Sequence, residues 1–144
     1  MILFFSKTNF KLSHKRPVKS WLNEIANNEN KKLGTVNYVF FNDEQLLTLN
    51  QQYLNHGTFT DIITFDYSEN NLLHGDICIS IERVKENALK FKVSFVEELK
   101  RVMAHGILHL CGYKDKNNNE KKLMKQKEEE ALLLYQKSYN YLKN

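Results

Sequence analysis

From Ser94 to Asp115 the chain reads SFVEELKRVMAHGILHLCGYKD, and this stretch limits the fold more than any other. Ser94 followed by Glu97 is a capping-box pair, so a helix opens there. Val96, Leu99, Met103, Ile107 and Leu110 recur at helical spacing and give that helix a wide apolar side. A helix this apolar has to be covered, which makes it the expected centre of the domain. His105 and His109 stand four residues apart on it, so both imidazoles project from one face and can converge on one ion. Gly112 supplies a residue that tolerates the left-handed conformation in which helices often end. The turn it allows carries Asp115 back toward the histidines. Two imidazoles and one carboxylate would leave a coordination position open for water, as catalytic rather than structural zinc sites do.

The flanking sequence alternates between strand and helix patterns. Met1 to Phe5 is a short apolar strand. A first helix follows Pro17, with Val18, Trp21, Leu22 and Ile25 at helical spacing, and ends around Asn27 to Asn30. Thr35 to Phe41 is β-branched and aromatic, with Val36, Tyr38 and Phe40 on one face. Asn42 and Gln45 cap a second helix carrying Leu46, Leu49 and Tyr53 on one side. His56 to Thr60 is a loop, Ile62 to Tyr67 a strand, Ser68 to Asn71 a turn, and Asp76 to Ser80 another strand. A third helix from Ser80 to Phe91 is expected to turn Val84, Ala88 and Phe91 inward. After Asp115 a polar stretch, Lys116 to Lys122, precedes a last amphipathic helix with Leu123, Ala131, Leu134 and Tyr135. The order βαβαββααα predicts an α/β (α+β) fold: about four strands in a small mixed sheet, packed with about five helices, the metal site on the central one.

With 144 residues, 42% hydrophobic, the chain is about one domain long and able to build a core. It holds no apolar run long enough to span a membrane. The apolar start of MILFFSKTNF is too short for a signal peptide, and two cysteines are too few for a disulfide framework. A cytoplasmic location is therefore expected. Cys111, two residues after His109, points off the ligand face, and both it and Cys78 are expected to be packing residues. A net charge of +4 permits a polyanionic partner without requiring one.

The metal chemistry is narrowed by Gly106. In the metalloprotease pattern HExxH a glutamate directly follows the first histidine as general base, and here glycine replaces it. A two-histidine, one-carboxylate set also occurs in non-haem iron oxygenases, but no second cue points to such a cosubstrate. Asp61 and Asp76 are equally compatible with orienting a histidine and with capping a turn. His74 is expected to be a solvated turn histidine rather than a neighbour of the site.

At this level of detail a family resemblance emerges. HGILHLCGYKD resembles the signature HGxLHLxGYDH of the YbeY family of ribosomal-RNA maturation endoribonucleases. Upstream, TDIITF (Thr60 to Phe65) is similar to the family's TDVLSF, GDICIS (Gly75 to Ser80) to GDIxIS, and LNQQY (Leu49 to Tyr53) to LNxxY. The blocks occur in the same order across residues 35 to 120. The resemblance implies one domain over 1–144 and one bound metal ion per chain, usually zinc. It also implies single-strand endoribonuclease activity in maturing small-subunit (16S) ribosomal RNA, a link to ribosome quality control, and the ribosome or its small subunit as partner. His105 and His109 carry over as metal ligands.

Two positions depart from the family pattern. Its third histidine falls on Asp115, which exchanges a neutral donor for an anion and makes harder divalent ions more competitive with zinc. Its phosphate-contacting arginine falls on Leu54, so another group must hold phosphate, and Lys114, Lys116 and His56 are the candidates. The expected function is hydrolysis of a phosphodiester by water activated on a metal held by His105, His109 and Asp115. The alternatives are a ribosome-associated assembly factor with a structural metal, or a different metal-dependent hydrolase.

Overall fold

The computed structural model describes residues 1–55 and 57–139. In chain order the elements are β1 (Ile2–Ser6), α1 (Lys15–Asn28), β2 (Lys32–Phe41), α2 (Asp43–Leu54), β3 (Ile62–Asp66), β4 (Leu72–Ser80), α3 (Ile81–Phe91), α4 (Phe95–Leu110) and α5 (Asn118–Ser138). This is the order expected from the sequence. The sheet runs β1-β2-β4-β3, with β1, β2 and β4 parallel and β3 antiparallel to β4. Thus β3 and β4 form a hairpin, and β3 is left as an edge strand.

The sheet and α4 share one core. Val36, Tyr38 and Phe40 of β2 are buried as their alternation predicts, together with Ile77 and Ile79 of β4. Against them lie Leu99, Met103, Ile107 and Leu110 of α4, Trp21 and Leu22 of α1, and Ala131 and Tyr135 of α5. Two buried hydrogen bonds fix the layers. Tyr38 donates its hydroxyl to the Met103 carbonyl at 2.7 Å, tying β2 to α4, and Trp21 Nε1–H donates to the Ala131 carbonyl at 2.8 Å, tying α1 to α5. Each carbonyl also lies within a helix, so removing either donor would cost the inter-layer bond itself, about 0.5–1.5 kcal/mol.

At Gly106, α4 lies close against the sheet. A Cβ at that position would lie 2.8 Å from Ile77 Cγ2, well inside van der Waals contact. The position that holds glutamate in the protease pattern therefore faces β4, and a larger side chain there would force Ile77 to shift.

Some positions differ from expectation. Val96 and Leu123 are exposed, as is Phe91, so the apolar stripes of α3, α4 and α5 are narrower than their sequences suggest. On α4 and α5 the outliers sit in the first two turns, beside Phe95 and Met124, which do pack into the core. The polar stretch expected after Asp115 is mostly the first turn of α5. Asn117 accepts from the Glu120 backbone N–H at 2.8 Å while the Glu120 carboxylate accepts from the Asn117 N–H at 3.2 Å, a full capping box. The run of Lys and Asn conceals that cap. Among the described residues no helix is long and apolar enough to cross a membrane.

Candidate metal centre

The site forms where α4 ends. Cys111 closes the helix, and Gly112 follows with φ 108°, a conformation that side chains on Cβ disfavour. The Gly112 N–H donates to the His109 carbonyl and the Tyr113 N–H to the Leu108 carbonyl, the paired bonds of a Schellman turn. That turn reverses the chain and returns Asp115 to the helix face that bears the histidines. Asp115 Oδ2 lies 3.2 Å from His105 Nε2 and 3.3 Å from His109 Nε2. The two rings meet edge to face with centroids 4.5 Å apart.

Each imidazole is held from behind. His105 Nδ1 lies 2.6 Å from Glu128 Oε2, and His109 Nδ1 lies 2.8 Å from the Tyr113 carbonyl oxygen. A carboxylate and a carbonyl accept, so each Nδ1 carries a proton and each Nε2 is turned toward Asp115. Two ring nitrogens and a carboxylate oxygen thus converge on one point. The donor atoms of His105, His109 and Asp115 lie within 4.8 Å of one another, close enough to share a cation. Two imidazoles and a carboxylate so placed could hold a metal ion, with each imidazole oriented by the partner behind it.

The surroundings are rich in carboxylates. Burial alone would depress the His105 imidazole, but its hydrogen bond to Glu128 and the charges of Glu128, Asp115 and Asp61 outweigh that and raise it above its ordinary value. Burial pushes the Glu98 carboxyl up to about 7 against the pull of Arg101, and Asp61, Glu128 and Glu97 add to the rise. Asp61 is likewise raised by burial, although His105 and the Asn87 amide favour its charge. Arg101 is shared among Glu129 at 2.8 Å, Glu128 at 3.6 Å and Glu98 at 3.7 Å.

The other candidates separate cleanly. Asp61 lines the same cleft as the histidines and is bonded by Asn87 Nδ2 at 3.3 Å, so its influence on them is through charge. Asp76 accepts from Asn37 Nδ2 at 3.0 Å beside Cys78 and Phe65, in a hollow that none of the three ligands lines. His74 is not a solvated turn residue; it sits within β4, and its Nδ1 accepts from the Thr35 N–H. Both cysteines are free, and burial raises each thiol to about 12, as packing residues require. Of the phosphate-binding candidates, Lys116 lines the cleft, Lys114 is exposed outside its lining, and His56 lies outside the described residues. Leu54 lines the cleft with 45% of its surface exposed, so the family's arginine position does face the site. Glu128 was not legible: it stands 23 residues from His105 on another helix, inside the run KQKEEEA, with nothing local to single it out.

The chain is similar to known proteins over most of its length. A family model described as Endoribonuclease YbeY matches residues 4–136. The Endoribonuclease YbeY of Flavobacterium psychrophilum is 54% identical over 118 residues, spanning 82% of this chain and 84% of that protein. The protein of the same description from Karelsulcia muelleri is 45% identical over 139 residues, covering 96% of this chain and 99% of its own length. Among solved structures, the solution structure of TM1509 from Thermotoga maritima superposes with a TM-score of 0.64 at 29% identity, covering 92% of this chain and 87% of that one.

Proposed function

This chain belongs to the YbeY family of endoribonucleases, and from that premise we propose that it cuts single-stranded RNA in the maturation of small-subunit (16S) ribosomal RNA. In this reading zinc is held by His105, His109 and Asp115, the partners are ribosomal RNA and the small subunit, and the setting is the cytoplasm, with ribosome quality control as the wider role. The observation that carries the reading is the convergence of two Nε2 atoms and one carboxylate oxygen, both imidazoles being oriented through Nδ1.

The chain's own groups divide the work. His105, His109 and Asp115 provide the binding atoms. Glu128 and the Tyr113 carbonyl hold the Nδ1 protons, which fixes ring orientation and makes each Nε2 a better donor. A divalent metal bound there supplies a Lewis acid for a phosphoryl oxygen and acidifies the attacking water. Because Asp115 is anionic, the centre carries one less positive charge than a three-histidine site, which leaves room for harder divalent ions to compete with zinc. Lys116 lines the cleft beside the ligands and has no acidic partner among the described residues, whereas Arg101 is held by three glutamates.

A second reading is favoured by one specific observation. Leu54 replaces the phosphate-contacting arginine in a cleft already rich in carboxylates, which suits an assembly factor whose metal supports the fold. One assay separates the two. Purified protein, metal-loaded or chelated, is given a single-stranded RNA, with His105→Ala as a control against contaminating nuclease. Metal-dependent cleavage that disappears in the variant supports the enzyme. Equal cleavage by parent and variant, or none with the metal demonstrably bound, points to the assembly factor.

A further inference from the structure

Phe91 is the residue that the periodicity of α3 turns inward and the fold leaves outside. It ends that helix with 55% of its surface exposed, whereas Val84 and Ala88 of the same stripe are buried. One exposed phenylalanine needs no explanation. Its position does, because Phe91 lines two cavities, of about 590 and 690 Å³, and His105 and Asp115 line both of them. Phe91 thus lines both arms of the cleft that His105 and Asp115 share.

The smaller arm has the chemistry of a base-binding slot. Phe91, Val93 and Met124 give it apolar walls, and Lys121 and Lys125 of α5 stand beside them. The side chains of these two lysines have no hydrogen-bond or ion-pair partner among the described residues. The carboxylates of that arm are engaged or buried: Glu128 with His105, Glu129 with Arg101, Asp115 in the ligand set, and Glu98 in the interior. Lys90 Nζ adds a further cation 5.8 Å from the Phe91 ring centroid. An aromatic face with unclaimed ammonium groups beside it matches a nucleobase and its phosphate, since any base can stack and the lysines take the backbone charge.

We infer that Phe91 is the stacking platform for a nucleobase of single-stranded RNA flanking the phosphate at the metal centre, with Lys121 and Lys125 receiving an adjacent phosphate. The identity of the polymer rests on the endoribonuclease reading above, but base stacking requires no cleavage, so the two can fail separately.

The test uses the full chain with Phe91→Ala and Phe91→Trp. Anisotropy of a labelled oligoribonucleotide is read on metal-stripped protein, where no hydrolysis intervenes, and again with a series carrying one abasic residue at successive positions. The parent should lose affinity at one or two abasic positions. Phe91→Ala should bind the intact strand about tenfold more weakly and become indifferent to those positions. Phe91→Trp should keep the affinity and show base-induced quenching, over the constant emission of the fully buried Trp21. Equal affinity and an equal abasic pattern in the parent and Phe91→Ala would overturn the platform, as would a parent that binds no RNA. A parent that shows the abasic pattern yet never cleaves leaves the platform standing and removes the nuclease reading.

Discussion

The two histidines of the proposed metal centre are held in opposite ways. His109 is secured locally: its Nδ1–H reaches a carbonyl only four residues on, delivered by the Schellman turn at Gly112. His105 is secured at a distance, by the Glu128 carboxylate of α5, which in turn faces Arg101 of α4. The local clamp is backbone and cannot be removed by mutating its own side chain. The distant clamp is one charged side chain, and it makes the site depend on the docking of α5. What the contrast teaches is that half of this centre is built into the helix end and the other half is borrowed from the tertiary fold.

The largest expected effect in that comparison is on the borrowed side. Glu128→Gln keeps an acceptor for the Nδ1 proton but removes the charge that makes His105 a strong donor. Metal affinity should fall by about 10–100-fold, with the fold intact by circular dichroism. An unchanged affinity, measured by competition with a chromogenic chelator, would mean that the contact only packs the helices.

The local side should answer with stability first. Gly112→Ala places a Cβ at φ 108° in open space, so the cost is backbone strain alone, about 1–2 kcal/mol, read from the denaturant midpoint. Gly112→Asn should cost less, because asparagine visits the left-handed region more readily. If Gly112→Ala were as stable as the parent, the turn would not be what constrains this end of α4.

Legibility in the sequence followed the same division. His105, His109, the Gly112 turn and Asp115 lie within eleven consecutive residues, and local helical geometry was enough to bring them together. The element order was legible because caps such as Asn42 with Gln45 and Ser94 mark their helices. Glu128 was not legible, since its contact depends on where α5 docks and no periodicity encodes that. Phe91 was misplaced for a related reason: the helical stripe predicts a face, but the partner layer decides how far along the helix that face is covered.

The smallest effect concerns the carboxylates behind the site. Glu98 holds its proton up to about 7 in the fold, against an ordinary value of 4.5. The folded state therefore binds that proton more tightly than the unfolded chain does. The stability it contributes is fully present below about pH 4.5 and is lost as the pH rises through about 7. In metal-free protein, Glu98→Gln should flatten the fall in melting temperature across that interval and leave the variant more stable than the parent at pH 8. A parallel fall in both proteins would show that Glu98 is not the group responsible.

The account as a whole stands on Asp115, the one ligand that the turn rather than the helix supplies. The most direct test is metal content by elemental analysis, with affinity titration, on the parent, Asp115→Ala and Asp115→His. The parent should bind one metal ion per chain. Asp115→Ala should lose that ion on dialysis, while Asp115→His should retain it and favour zinc more strongly over harder divalent ions. If Asp115→Ala kept its metal as tightly as the parent, Asp115 would not be a ligand and the proposed centre would be wrong.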